Sequence, residues 1–81
     1  NNYLGLAGDP RLRRAAADAA LAIGAGAGAV RPIIGNLELH DRLEQLLAAF
    51  KTTDDVLVFT SGFTANAGTI PTITDADDAI V

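Results

Sequence analysis

Val56-Leu57-Val58-Phe59-Thr60-Ser61-Gly62-Phe63-Thr64-Ala65-Asn66 is the stretch on which the fold turns. Its first four residues form a continuous apolar, β-branched-rich run, the pattern of a strand covered on both faces, and they predict a strand over about 56–60. Ser61-Gly62 ends it. The residues that follow predict a short helix over about 63–70, which Pro71 shortens or kinks. A buried strand that passes through a tight glycine turn into a helix sets free N–H groups and a positive dipole end at its carboxyl edge. Such a corner is a ready phosphate site. A plain strand-to-helix turn, with Ser61 serving only as a cap, is the other reading, and the residues leave both open.

Working outward, Asp75 to Asp78 turn the chain into Ala79-Ile80-Val81, a second predicted strand at about 79–81. Upstream, Asp9-Pro10 is a helix start, with a capping carboxylate followed by proline at the first helical position. Leu12, Ala16, Ala19 and Ile23 then fall on one face, and Gly24 stands where a left-handed C-cap residue belongs, so a helix is predicted over about 10–23. Residues 24–35 alternate glycine with alanine and then read Val-Arg-Pro-Ile-Ile-Gly, a loop of small residues suited to close approach. Asn36 is placed to cap a second helix at about 37–51, whose stripe is Leu39, Leu43, Leu46, Leu47 and Phe50, with Lys51 near its negative end. Two helices followed by strand-helix-strand make an α/β arrangement, and two strands cannot by themselves form a sheet covered on both faces. The chain therefore reads as an incomplete domain, a piece of a longer protein.

Composition narrows the function classes. The 81 residues allow one small domain, and although 49% are hydrophobic only 5% are aromatic, so the apolar mass lies in small side chains. Six basic against ten acidic residues give a net charge of -4, which argues against nucleic-acid or anionic-membrane surfaces. Without cysteine there is neither a disulfide framework nor a thiolate metal site. No apolar run approaches the roughly 20 residues that span a bilayer. The chain reads as soluble and cytoplasmic, without membrane or nucleic-acid partners.

Few side chains offer chemistry of their own. The glycine-alanine tract lacks the spacing of a dinucleotide or Walker loop. Arg31, held before Pro32 in an apolar stretch, needs an anionic or carbonyl partner, and an internal ion pair and a ligand contact stand level. His40 is the single histidine and lies off the apolar stripe, so no metal site can be completed around it. Lys51 reads as a solvated helix-end residue, and Asp77 and Asp78 as turn residues. No nucleophile with an adjacent base and no carboxylate pair can be assembled.

Taken together, four motifs in order resemble a known family. They are Asn1-Asn2-Tyr3-Leu4-Gly5-Leu6; Gly26-Ala27-Gly28-Ala29-Val30-Arg31 with Gly35 behind; His40 ahead of Leu43-Glu44; and Ser61-Gly62-Phe63-Thr64-Ala65-Asn66. The chain resembles, through its whole length, the α-oxoamine synthases, pyridoxal-phosphate-dependent acyltransferases that join an amino acid to an acyl-CoA. The resemblance implies the N-terminal part of a fold type I large domain, a three-layer α/β/α sandwich with a mainly parallel sheet, in a homodimer. It further implies that Gly62 and Phe63 hold the cofactor phosphate through their backbone, that Asn1 contacts the amino-acid substrate, and that Arg31 lies on a loop reaching the acyl group. The Schiff-base lysine falls beyond Val81 in the family pattern; Lys51 does not match it, so these 81 residues alone are expected to be inactive. Relatives that take a succinyl group carry a hydroxyl and an amide where Val30 and Pro32 stand, which favours an apolar acyl group here.

Within the family the segment reads as nearest to glycine C-acetyltransferase, condensing glycine with acetyl-CoA to 2-amino-3-ketobutyrate. 8-Amino-7-oxononanoate synthase, which condenses alanine with a pimeloyl thioester, is the alternative. A reading from another class is a free-standing, non-catalytic helical binding domain.

Overall fold

The computed structural model describes all residues, Asn1–Val81, in two compact units, Asn1–Leu37 and Glu38–Val81.

The first unit is organised by short-range capping. Gly5, at φ 66, leads into a single 3-10 turn at Leu6–Gly8. The Asn2 side chain accepts from the Ala7 amide at 3.1 Å, and Asp9 N–H donates to the Leu6 carbonyl at 3.0 Å. Helix α1 spans Pro10–Ile23 and packs against that turn. Asp9 caps it by accepting from the Arg11 amide at 2.8 Å, satisfying one of the first-turn donors. The Arg11 guanidinium folds back on the same carboxylate at 2.7 Å, and this hydrogen bond, with the amide, holds the Asp9 carboxyl below its ordinary 3.8. Gly24 closes the helix at φ 113 and ψ 174, a conformation that is open to glycine rather than the left-handed helical one.

The loop that follows tightens into one π turn at Arg31–Gly35, in which the Gly35 amide donates to the Val30 carbonyl at 3.0 Å. Gly35 is buried there, and a Cβ on it would land on the Ala29 carbonyl. Glycine is required here for close backbone approach.

In the second unit, helix α2 spans Glu38–Lys51, with Glu38 and Asp41 in its first turn and Lys51 in its last, both complementing the helix dipole. It ends in a Schellman arrangement: Thr53 N–H donates to the Ala48 carbonyl at 3.1 Å and Thr52 N–H to the Ala49 carbonyl at 3.4 Å. Thr52 takes the left-handed position, φ 56, that usually falls to glycine. Helix α3 spans Gly62–Ile73. It runs past Pro71 to Ile73, so the helix is not shortened to the expected 63–70. Pro71 stands in the last turn and deletes one hydrogen bond, while the Thr72 and Thr74 hydroxyls donate to the Gly68 and Ile70 carbonyls at 2.6 and 2.8 Å.

No strand forms, so the strands expected at 56–60 and 79–81, and with them the sheet of the α/β reading, are absent from this chain. The physical reason is that a strand exists only when a neighbour exchanges hydrogen bonds with it. With none here, Val58 N–H donates to the Glu44 carboxylate on α2 at 2.8 Å, and the Phe59 ring lies over Gly68 of α3. No large apolar side chain is buried: Tyr3, Leu4, Leu21, Phe50 and Phe63 are each more than four-fifths exposed. The helices thus present apolar side chains that are largely exposed. None is long and apolar enough to cross a membrane.

Candidate functional site

The start of α3 is the best-defined polar corner of the second unit. Ser61 is extended, φ -158 and ψ 161, and its hydroxyl accepts from the Thr64 amide at 3.1 Å. Thr64 answers by accepting from the Ser61 amide at 3.1 Å, a reciprocal capping box, and donates its own hydroxyl proton to the Ser61 carbonyl at 2.8 Å. Ala65 N–H takes up the first regular helical bond, to Ser61, at 3.0 Å.

This accounting leaves two neighbouring donors. The amides of Gly62 and Phe63 have no acceptor within the chain, and they stand at the positive end of a helix of 12 residues. Beside them the Gly62 Cα is uncovered: a Cβ built on it meets nothing within 4 Å. Two neighbouring first-turn N–H groups without an acceptor suit a phosphate dianion, whose oxygens accept several such bonds at once. The residues present therefore fit a phosphorylated cofactor. The Phe63 side chain is exposed, so the corner is not plugged by its own ring.

The two substrate-side candidates lie in the other unit. Asn1 is exposed at the start of the chain. Arg31 opens the π turn, half-buried, and its Nε donates to the Asn36 side-chain oxygen at 2.7 Å. That bond gives Asn36 a role that capping logic did not suggest; α2 begins at Glu38, not at 37, and the Asn36 amide oxygen faces back toward the loop. A polar residue five positions after an arginine is too common a pattern to betray such a pairing in sequence. The Ser61/Thr64 box is likewise a weak signal, because threonine replaces the usual glutamate or glutamine three residues on.

Comparison with known proteins identifies the setting. The aminotransferase class I and II family model matches residues 1–81. The chain is 59% identical over its full length to an 8-amino-7-oxononanoate synthase of Treponema denticola, covering 20% of that protein. It is 54% identical to one of Symbiobacterium thermophilum, covering 21%, and 56% identical to one of Thermoanaerobacter pseudethanolicus, covering 20%, again over all 81 residues. The chain spans about a fifth of the length of the curated relatives it matches.

These names correct the reading of the segment as nearest to glycine C-acetyltransferase: the relatives carry the name that stood as the alternative. Motif likeness alone does not separate two synthases of one family that differ in the acyl group they take. Nor do these names favour a non-catalytic binding domain.

Proposed function

We propose, because this chain belongs to the aminotransferase class I and II family, that the intact protein is a pyridoxal-phosphate-dependent 8-amino-7-oxononanoate synthase. The substrates follow from the product's own name. Carbons eight and nine with the amino group are those of alanine after loss of its carboxyl group as carbon dioxide. Carbons one to seven are a pimeloyl unit delivered as a thioester. A carbon–carbon bond forms between the alanine α-carbon and the thioester carbonyl, and the thiol leaves with a proton. When bound, pyridoxal phosphate supplies the electron sink that holds the pair released at the α-carbon.

The observation that carries the proposal is the pair of unpartnered amides at Gly62 and Phe63 in a chain 59% identical to a named synthase. When bound, the cofactor's phosphate would be held by these amides at the start of α3. The closed Ser61/Thr64 cap keeps them aimed without a competing acceptor. Asn1 orients the amino acid, and Arg31 serves the acyl group. The largely exposed apolar side chains of α1 and α2 support their being covered by a sheet and by a second subunit, as in a three-layer large domain of a homodimer; a cytoplasmic setting belongs to the same proposal.

The full-length protein tests this directly. Wild type, loaded with pyridoxal phosphate, converts alanine and pimeloyl-CoA to 8-amino-7-oxononanoate with release of carbon dioxide. Gly62→Pro isolates the phosphate contact: proline suits the first helical position, the extended Ser61 before it is compatible, and only an unpartnered N–H is lost. One charge-assisted hydrogen bond of about 1.5–3 kcal/mol predicts at least tenfold weaker cofactor binding with the fold intact. Unchanged affinity in Gly62→Pro, or no product from wild type, overturns the proposal.

A further inference from the structure

Asn1 is exposed, and an exposed side chain meets a substrate in a fixed place only when the chain beneath it is held. What holds it is Asn2. The Asn2 carbonyl accepts from the Gly5 amide at 3.1 Å, closing a turn over residues 2–5 that Gly5 completes at φ 66. The Asn2 side-chain oxygen accepts from the Ala7 amide, also at 3.1 Å. Ala7 lies in the Leu6–Gly8 turn, whose own N-cap, Gly5, has no side chain to offer, so a first-turn donor is satisfied from five residues back. Tyr3 and Leu4, at the corners of the residue 2–5 turn, are 90% and 83% exposed and add little packing. The two hydrogen bonds therefore carry the geometry. Together they fix the carbonyl and the Cβ of Asn2; the nitrogen on the same tetrahedral Cα then has one heading, and Asn1 is attached there. Because the Leu6–Gly8 turn packs on α1, that heading is set relative to a helix.

We propose that Asn2 is a positioning residue for the amino-acid substrate, aiming Asn1 at alanine through these two bonds. This inference rests on the synthase reading above, and on Asn1 orienting the amino acid, and deepens it. Asn2 touches neither the substrate nor the cofactor in this scheme. What the role asks of residue 2 is an acceptor at a set reach from the backbone. Aspartate carries an oxygen at the same reach, leucine fills a similar volume without one, and the serine oxygen stands one bond short.

The test uses the full-length, cofactor-loaded protein. Alanine is titrated without thioester, its binding read from the visible absorbance of the cofactor, and the KM for pimeloyl-CoA and the cofactor Kd are measured beside it. The expected result is an alanine Kd raised about fivefold in Asn2→Leu and in Asn2→Ser, the scale of one lost hydrogen bond, and restored in Asn2→Asp. The KM for pimeloyl-CoA and the cofactor Kd stay at the wild-type values. Serine is at home in turns, so Asn2→Ser is expected to fold if Asn2→Leu does not. In an Asn1→Ala background the Asn2→Ser exchange adds nothing further, since a residue that acts through Asn1 has no effect once that side chain is gone. General loosening of the turn would move alanine, thioester and cofactor together, and that outcome overturns the inference. So does an unchanged alanine Kd in Asn2→Ser, an Asn2→Asp as weak as Asn2→Leu, or an effect of Asn2→Ser that persists without Asn1. A wild type that makes no product from alanine and pimeloyl-CoA removes the synthase reading and this inference with it, whereas an active wild type with indifferent Asn2 variants removes the inference alone.

Discussion

Replacing Gly35 by alanine puts the geometry of the Arg31–Gly35 turn to a quantitative test. The added Cβ would sit on the Ala29 carbonyl oxygen, 2.5 Å from the Ala29 carbonyl carbon and 2.8 Å from that of Val30. All three atoms are backbone, so no side-chain rotation relieves the overlap. The turn must open by roughly an ångström, enough to break the 3.0 Å bond from the Gly35 amide to the Val30 carbonyl. Overpacking costs about 1–3 kcal/mol and the lost bond about 1 kcal/mol more, a total near 2–4 kcal/mol. Denaturant unfolding of the full-length protein reads this as a lower midpoint at unchanged slope. Gly26→Ala is the control, since a Cβ there meets nothing within 4 Å and the backbone lies outside the positive-φ region; it should be neutral or slightly stabilising. Stability of Gly35→Ala within 0.5 kcal/mol or so of wild type, the range of ordinary surface changes, would refute the reasoning.

Two further substitutions test the helix ends. Thr52→Gly relieves a β-branched residue held at φ 56, a conformation costing roughly 1–2 kcal/mol, and after glycine's greater freedom in the unfolded chain should leave a gain of about 1 kcal/mol in the same unfolding assay. Asp9→Asn keeps the cap on α1 but discards the ion pair with Arg11. Because that guanidinium depresses the Asp9 pKa below 3.8, its stabilisation is present above the ordinary aspartate value and lost as pH falls through the lowered one. The wild-type advantage over Asp9→Asn in thermal midpoint should therefore be full at neutral pH and vanish only below 3.8.

What could be read directly from the residues was whatever depends on near neighbours. Asp9 and Pro10 start α1 and Gly24 stops it because caps act over three or four positions. Ser61 caps α3 for the same reason. The run from Val56 to Phe59 has the composition of a strand, but a strand is a relation between segments, and within these 81 residues Val58 N–H turns to the Glu44 carboxylate and Val56 N–H to that of Asp55. Pro71 does not shorten α3 because a proline near a helix end removes one bond, and the threonine hydroxyls that serve the Gly68 and Ile70 carbonyls are ordinary residues in sequence. On the site, the helix start at Gly62 was visible as a local pattern, whereas the tie between Arg31 and Asn36 depends on how the turn between them closes.

The reciprocal lock of Ser61 and Thr64 has a bearing on selectivity. A receptor built from two main-chain amides senses charge and oxygen geometry, and nothing of the ring that bears them. On the proposed reading of the Gly62 and Phe63 amides, inorganic phosphate or any small phosphate ester would meet the same welcome at this corner. Discrimination among phosphorylated metabolites must then come from whatever grips the remainder of the molecule, and buffers rich in phosphate would compete for the seat.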